Sequence, residues 1–137
     1  MTTVINFDPI TQGSNWKRVI QISDELGSPV DLTGCTAAMQ FRSQYHGVIY
    51  ADMTTENGLI AIGGTDGTIT LQLYPANTAA LAMRTLIYDF DFYWPDGRLD
   101  TLFKGTVTVN FEVTLPSSVN AIDFSDENNS AYIVLIL

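Results

Sequence analysis

Hydrophobic and polar residues alternate along much of this chain with a period of two. Residues 68–73 show the pattern most clearly, because isoleucine and leucine occupy every second position and threonine and glutamine occupy the others. Successive side chains of a β-strand point to opposite faces, so this alternation predicts a strand with one buried and one solvated face. Gly67 precedes the segment and Pro75 follows it, and both residue types favour turns at strand ends.

A β-hairpin is predicted farther along the chain. Residues 88–94 carry aromatic side chains at alternate positions, and residues 95–97 supply a Pro-Asp-Gly turn. Proline presets φ and glycine accepts positive φ, as a tight turn requires. The return strand is predicted over residues 99–113, where Gly105 indicates a bulge. The face of this strand that we expect to be buried carries Leu99, Phe103, Val107, Val109, Phe111 and Val113.

Shorter strands and one helix complete the predicted fold. The strands are predicted at residues 16–22, 35–42, 48–53 and 59–62. The Ala-rich residues 77–83 predict a short crossover helix, with Asn77 or Thr78 available as its cap. The predicted fold class is therefore all-β: an immunoglobulin-like β-sandwich of about seven or eight antiparallel strands with one short crossover helix.

The last part of the chain combines an irregular segment with an uncharged one. Residues 116–130 predict a loop or arm, and residues 131–137 predict a C-terminal strand. An unpaired strand of this composition would aggregate, so something must cover it. Two alternatives remain open: the strand closes its own sandwich, or it reaches across to a neighbouring subunit with the preceding segment as a tether. The candidate interaction residues of this strand are Tyr132, Ile133, Val134 and Leu135.

Composition favours one folded domain, residues 1–137, with a core spanning about residues 3–115. Hydrophobic residues make up 46% of the chain, and 6 Lys and Arg against 15 Asp and Glu give a net charge of -9. We therefore expect no nucleic-acid or membrane partner. The longest apolar run is too short to cross a bilayer as a helix, and the first nine residues lack signal-peptide features. The lone Cys35 is expected to be a buried thiol, consistent with synthesis in a reducing cytoplasm.

Residues suited to catalysis are sparse. One histidine, His46, and one cysteine are too few for a zinc site of the usual type, and His46 lies in a predicted turn. Asp89 and Asp91 share one strand face, as a glycosidase pair or a calcium site would require, but the alternation predicts that this face is the solvated one. Residues 123–129 are acidic but lack the ordered spacing of a calcium loop. We expect no enzymatic activity and no cofactor or metal.

Exposed aromatic residues suggest a different kind of site. Tyrosine and tryptophan at turns and strand ends can form a platform for a sugar ring. Tyr45, Tyr93 and Trp94 are the candidate interaction residues of this kind, and Tyr50 and Tyr74 have similar positions. A small carbohydrate-binding or host-adhesion module is therefore an alternative function.

Several short motifs resemble, in their order, those of siphophage baseplate and tail-tip proteins. They begin with SPVDLTG at residues 28–34 and CTAAMQFR at 35–42, a polar turn followed by a strand ending in arginine. They continue with ENGLI at 56–60, GTITL at 67–71, ANTAAL at 76–81, YDF at 88–90, PDG at 95–97, KGTVTV at 104–109 and FEVT at 111–114. The resemblance covers roughly residues 16–114, most of the chain.

This resemblance implies an immunoglobulin-like fold, a structural role in the virion tail and no enzymatic activity. The implied partners are further copies of the chain in a homo-oligomeric ring, other tail-tip proteins, and side fibres or receptor-binding proteins. The chain differs from larger members in lacking a long C-terminal extension. It therefore resembles collar proteins more than direct receptor binders.

Overall fold

The computed structural model describes residues 3–112 and 130–136. Those residues form ten strands, one α-helix and one 3-10 turn at Gly64–Asp66. The strands are β1 Thr3–Val4, β2 Ile10–Thr11, β3 Trp16–Ser23, β4 Thr36–Arg42, β5 Ile49–Thr54, β6 Ile60–Ile62, β7 Thr68–Leu73, β8 Thr85–Tyr93, β9 Leu99–Asn110 and β10 Ser130–Ile136, and the helix is α1 Pro75–Ala79. The predicted strands at residues 16–73 agree with β3 to β7 to within one residue at each end.

The described strands form two sheets. One has the order β1-β9-β8-β4-β5, with β2 also paired to β9, and the other has the order β10-β3-β7-β6. The all-β prediction is confirmed, but the prediction of purely antiparallel strands is wrong. Strands β1 and β2 run parallel to β9, and β10 runs parallel to β3. Parallel pairing needs a long connection, and most of the chain lies between the members of each of these pairs.

The inner faces of the two sheets share one hydrophobic core. Trp16 of β3 packs edge-on against Phe41 of β4, with ring centroids 6.0 Å apart. Phe7 packs edge-on against Trp16 at 5.2 Å and stacks on Tyr88 of β8 at 5.1 Å. These aromatic contacts join both sheets and the N-terminal segment, and edge-on and offset arrangements of this kind are favourable for aromatic rings.

The predicted hairpin is confirmed as β8 and β9, but its bulge lies elsewhere than expected. Phe90 is opposite Phe103, whereas Asp91 is opposite Thr101, so Leu102 is the extra residue. Both Leu102 and Phe103 are buried as a result. A bulge of this kind changes which positions face the core on its two sides.

Three details predicted for the return strand are therefore wrong. Leu99 lies beyond the bulge and is exposed, and Phe111 is exposed because β9 ends at Asn110. Gly105 is not a bulge residue but pairs regularly with Tyr88. A Cβ atom at Gly105 would collide with the carbonyl oxygen of Ile5, so glycine permits the N-terminal segment to lie against β9.

The crossover helix is confirmed, although it begins and ends earlier than predicted. Helix α1 connects β7 of one sheet to β8 of the other. Proline fits the first turn of a helix, so Pro75 begins it, and the Asn77 side chain accepts a hydrogen bond from the backbone N–H of Tyr74 at 2.8 Å. The strand count exceeds the predicted seven or eight because β1 and β2, of two residues each, are too short for a visible period.

Candidate functional site

The C-terminal strand β10 forms one edge of its sheet. All seven of its residues pair with β3 of the same chain, from Ser130 opposite Lys17 to Ile136 opposite Ser23. Leu135 is buried in the core, and Ile133 packs against it. On the other face Tyr132, Val134 and Ile136 are 64%, 55% and 60% exposed. The second edge of β10 has no partner strand among the described residues.

Strand β10 differs from the other described edge strands in combining greater length with the absence of charge. Proteins usually protect a sheet edge by keeping it short or by placing charge on it. Strand β6 has three residues, and β5 carries the exposed Asp52. Strand β10 carries no charged residue over its seven positions. The edges of β10 and β5 are thus the two longest, and both β10 and the start of β5 at Ile49 expose apolar side chains.

Tyr93 and Trp94 lie together at the tip of the β8–β9 hairpin. Tyr93 is exposed and pairs with Leu99 across the two strands. The indole N–H of Trp94 donates to Asp100 Oδ2 at 2.8 Å, and the guanidinium of Arg98 lies 4.9 Å from the centre of the Trp94 ring. One face of the Trp94 ring is therefore covered by Arg98, which makes it a poor platform for a sugar.

Tyr45 lies at the rim of a groove on the outer face of the larger sheet. The groove has a volume of about 450 Å³ and is formed by β4, β8, β9 and the N-terminal segment. Its polar lining residues are Asn6, Gln40, Arg42, Asp89, Lys104 and Thr106, with His46 beside Tyr45. Tyr45 is predicted from the sequence, whereas Arg42 and Lys104 are not, because nothing in the sequence shows that the polar faces of separate strands line one concavity.

The turn that carries Tyr45 is held in place by Arg42. The guanidinium of Arg42 donates to the carbonyl of Gly47 at 2.7 Å and to Gln40 Oε1 at 2.7 and 3.2 Å. His46 adopts a positive φ of 60° within this turn and is exposed, as expected for a turn residue. The backbone of this turn is thus anchored by the partly buried Arg42, whereas the side chain of Tyr45 is exposed.

The carboxylates that were candidates for catalysis are distributed as the alternation predicts. Asp89 is exposed and Asp91 half-buried on the outer face of β8, and Asp91 accepts a hydrogen bond from the Thr101 hydroxyl at 3.0 Å. No group of three or more potential metal ligands occurs within residues 3–112 and 130–136. Residues 116–129 of the predicted loop or arm lie outside the described residues, and so do the acidic residues 123–129 considered as a calcium loop.

Three buried groups have shifted pKa values, and burial is the main cause in each. Burial lowers the pKa of Arg18, which lies over the ring of Trp16, and the nearby Asp8 partly offsets that effect. Burial raises the pKa of the Cys35 thiol, as expected for an unreactive buried cysteine. Burial also raises the pKa of Tyr88 far above its ordinary value, and its hydroxyl donates to the carbonyl of Ile5 at 2.6 Å.

In a comparison with known proteins, no protein-family model matches the chain. No curated protein matches it either. Within the part of the chain that the structure describes, no helix has the length and apolar character that crossing a membrane requires.

Proposed function

We propose that the chain is a structural component of a phage tail tip or baseplate, where it forms a homo-oligomeric collar ring that attaches side fibres or receptor-binding proteins. The order of its short motifs, which resembles that of siphophage tail-tip proteins, supports this function. The structural observation that carries the proposal is the open edge of β10. Virion localisation in the tail is part of the same proposal.

The open edge of β10 favours a protein partner for physical reasons. An edge strand presents a row of unpaired N–H and C=O groups, which can accept a further strand. The exposed side chains of Tyr132, Val134 and Ile136 form an apolar stripe beside that row. A soluble chain that exposes both features together gains free energy by burying them against another protein.

We further propose that the partner edge is β5 of the next copy. A ring requires a heterologous contact, in which two different surfaces of the chain meet. Strand β5 has six residues against the seven of β10; its first residue Ile49 and the preceding Val48 are exposed. In this arrangement β10 remains on its own β3, as the structure shows, and uses its outer edge for the neighbour.

The fold that the resemblance implies is an immunoglobulin-like sandwich, and we propose that architecture for the two sheets. Their shared aromatic core and the crossover between them support it. An experimental structure superposed on immunoglobulin domains tests this: matching strand order in both sheets is expected, and a different order contradicts it.

Quantitative mass spectrometry of purified particles of the phage that encodes the chain tests the virion role. We expect several copies per particle, in a number that matches the tail symmetry. Absence of the chain from the particle contradicts the proposal and favours the alternative, a carbohydrate-binding or host-adhesion module.

That second function is favoured by one observation, the groove beside Tyr45. At the hairpin tip, in contrast, Arg98 already covers Trp94. A glycan array separates the two locations. Binding that is lost in Trp94→Ala places the sugar at the tip, and binding that survives this change places it elsewhere on the chain.

A further inference from the structure

We propose that the groove beside Tyr45 binds an acidic saccharide, with the sugar ring stacked on Tyr45 and its carboxylate held by Lys104 and Arg42. This site lies on the larger sheet and is separate from the β10 edge. The inference rests on the second candidate function, carbohydrate binding, and names the class of ligand; it does not depend on the ring proposal.

The shape of the groove suits a small ligand of a few sugar units. Its volume of about 450 Å³ lies within the range of small-molecule sites. Its floor consists of outward-facing side chains of three adjacent strands, β4, β8 and β9, and the N-terminal segment forms one wall. Paired strands form this floor, so the backbone positions of the lining residues are set before a ligand arrives.

Tyr45 supplies the apolar contact that sugar recognition requires. Its side chain is 77% exposed, although a tyrosine usually buries most of its ring. The hydrogen bonds of Arg42 to Gly47 and Gln40 fix the turn on which it stands. An exposed aromatic ring on an anchored turn beside a polar groove can stack against the C–H face of a sugar ring.

Charge in the groove is opposite in sign to the charge of the chain. Two of the chain's 6 Lys and Arg residues, Arg42 and Lys104, line the groove beside one carboxylate, Asp89, whereas the whole chain carries -9. Lys104 and Asp89 are directly opposite each other on β9 and β8. They do not form an ion pair, since the one pair within 4.0 Å among the described residues joins Arg98 and Asp100. The ammonium group of Lys104 is thus available for an anion.

The neutral groups of the groove match sugar hydroxyls. Asn6 uses its Oδ1 atom to accept hydrogen bonds from the backbone N–H and the hydroxyl of Thr106, at 3.0 and 3.2 Å. Its amide N–H groups remain available as donors. The Asp89 carboxylate, which no described side chain pairs with, is an acceptor for hydroxyl groups.

The groove combines the carboxylate of Asp89 with the cations Arg42 and Lys104. This combination favours a saccharide with one carboxylate over an anion of higher charge density. A phosphate or a polyacidic peptide would place further negative charge near Asp89, and like charges repel each other. A uronic acid carries one carboxylate and several hydroxyls, so it pairs with Lys104 and Arg42 and also donates to Asp89.

Isothermal titration calorimetry of the chain with trigalacturonate tests the site. Its methyl ester is the matched probe without charge, and a Glu-Glu-Glu peptide is the probe without sugar. We expect saturable binding of trigalacturonate that is about tenfold weaker in Lys104→Gln and in Tyr45→Ala. Lys17→Gln, which removes the same charge from the other sheet, should bind like the original chain. Both test residues are exposed, so NMR spectra of the variants should retain the folded pattern.

The opposite results would overturn the inference. It fails if trigalacturonate shows no saturable binding, if the methyl ester or the peptide binds equally well, or if Lys17→Gln weakens binding as much as Lys104→Gln does. Binding that is unchanged in the assembly variant Val134→Lys is expected and separates this site from the ring contact.

Discussion

Tyr132 of β10 lies directly opposite Val19 of β3, and the Tyr132 hydroxyl donates to Gln21 Oε1 of the same strand at 3.2 Å. This parallel register places the exposed side chains of β10 on the outer face of the smaller sheet. It also leaves the second edge of β10 without a partner in the described part of the chain. The proposed ring assembles through that edge.

Lysine at the centre of β10 should prevent assembly. Val134→Lys places a charge on an edge strand, which is how natural proteins discourage edge pairing. We expect a folded monomer by sedimentation, with a free energy of unfolding within about 0.5 kcal/mol of the original, because Val134 is exposed. Leu26→Lys, a similar change in an exposed turn, is the control and should still assemble.

Mixing two variants tests the heterologous contact. Ile49→Lys should block the β5 edge and give a monomer by itself, as Val134→Lys does. Each variant retains the edge that the other has lost, so an equimolar mixture should form a 1:1 dimer and no ring. A mixture that remains monomeric would show that β10 and β5 do not pair.

Leu135→Ala should destabilise each chain individually. Leu135 is 5% exposed and lies in the core of its own chain, so its truncation should cost about 2 to 4 kcal/mol in urea unfolding. The same loss is expected in the Val134→Lys background and at every protein concentration. A loss that appears only in the assembled protein would indicate that β10 is exchanged between subunits.

Gly105→Ala should weaken the attachment of the N-terminal segment. The added Cβ atom meets the backbone carbonyl of Ile5, which cannot move away as a flexible side chain can. We expect a loss of about 1 to 3 kcal/mol in unfolding and faster amide exchange at Ile5 and Phe7, whose N–H groups bond to β9. The control Thr108→Ala, an exposed truncation on the same strand, should change stability little.

Tyr88→Phe should alter both stability and its dependence on pH. At neutral pH the lost hydrogen bond to Ile5 should cost about 1 to 2 kcal/mol. The folded-state pKa of Tyr88 is raised, so the unfolded chain ionises first, and the stability of the original chain falls as pH rises above about 10. The variant lacks this titration, so the difference between the two should narrow above that pH. A constant difference in denaturant melts up to pH 11 would contradict the assignment.

Much of the fold follows from local pattern. Strand β7 and the β8–β9 hairpin have one face in the core, so their period of two is visible in the sequence. The bulge at Leu102 was not predicted, because a bulge depends on how two strands align and not on the sequence of one strand. Strands β1 and β2 were not predicted, because their pairing with β9 joins distant parts of the chain.

The candidate sites were predicted unevenly for a similar reason. Tyr132 and Val134 could be named as candidate interaction residues because an uncharged, β-prone segment is visible in the local sequence. Trp94 was identified as an exposed aromatic, but its contact with Arg98 depends on the hairpin turn. The groove could not be identified, since Arg42 and Lys104 line one concavity only when β4, β8 and β9 align.

Native mass spectrometry of the chain, at micromolar concentration and without any partner, is the decisive measurement for assembly through β10. We expect one closed homo-oligomer of more than two copies, which becomes a monomer in Val134→Lys. A chain that is monomeric at every concentration, or an oligomer that Val134→Lys leaves intact, would contradict assembly through the edge of β10.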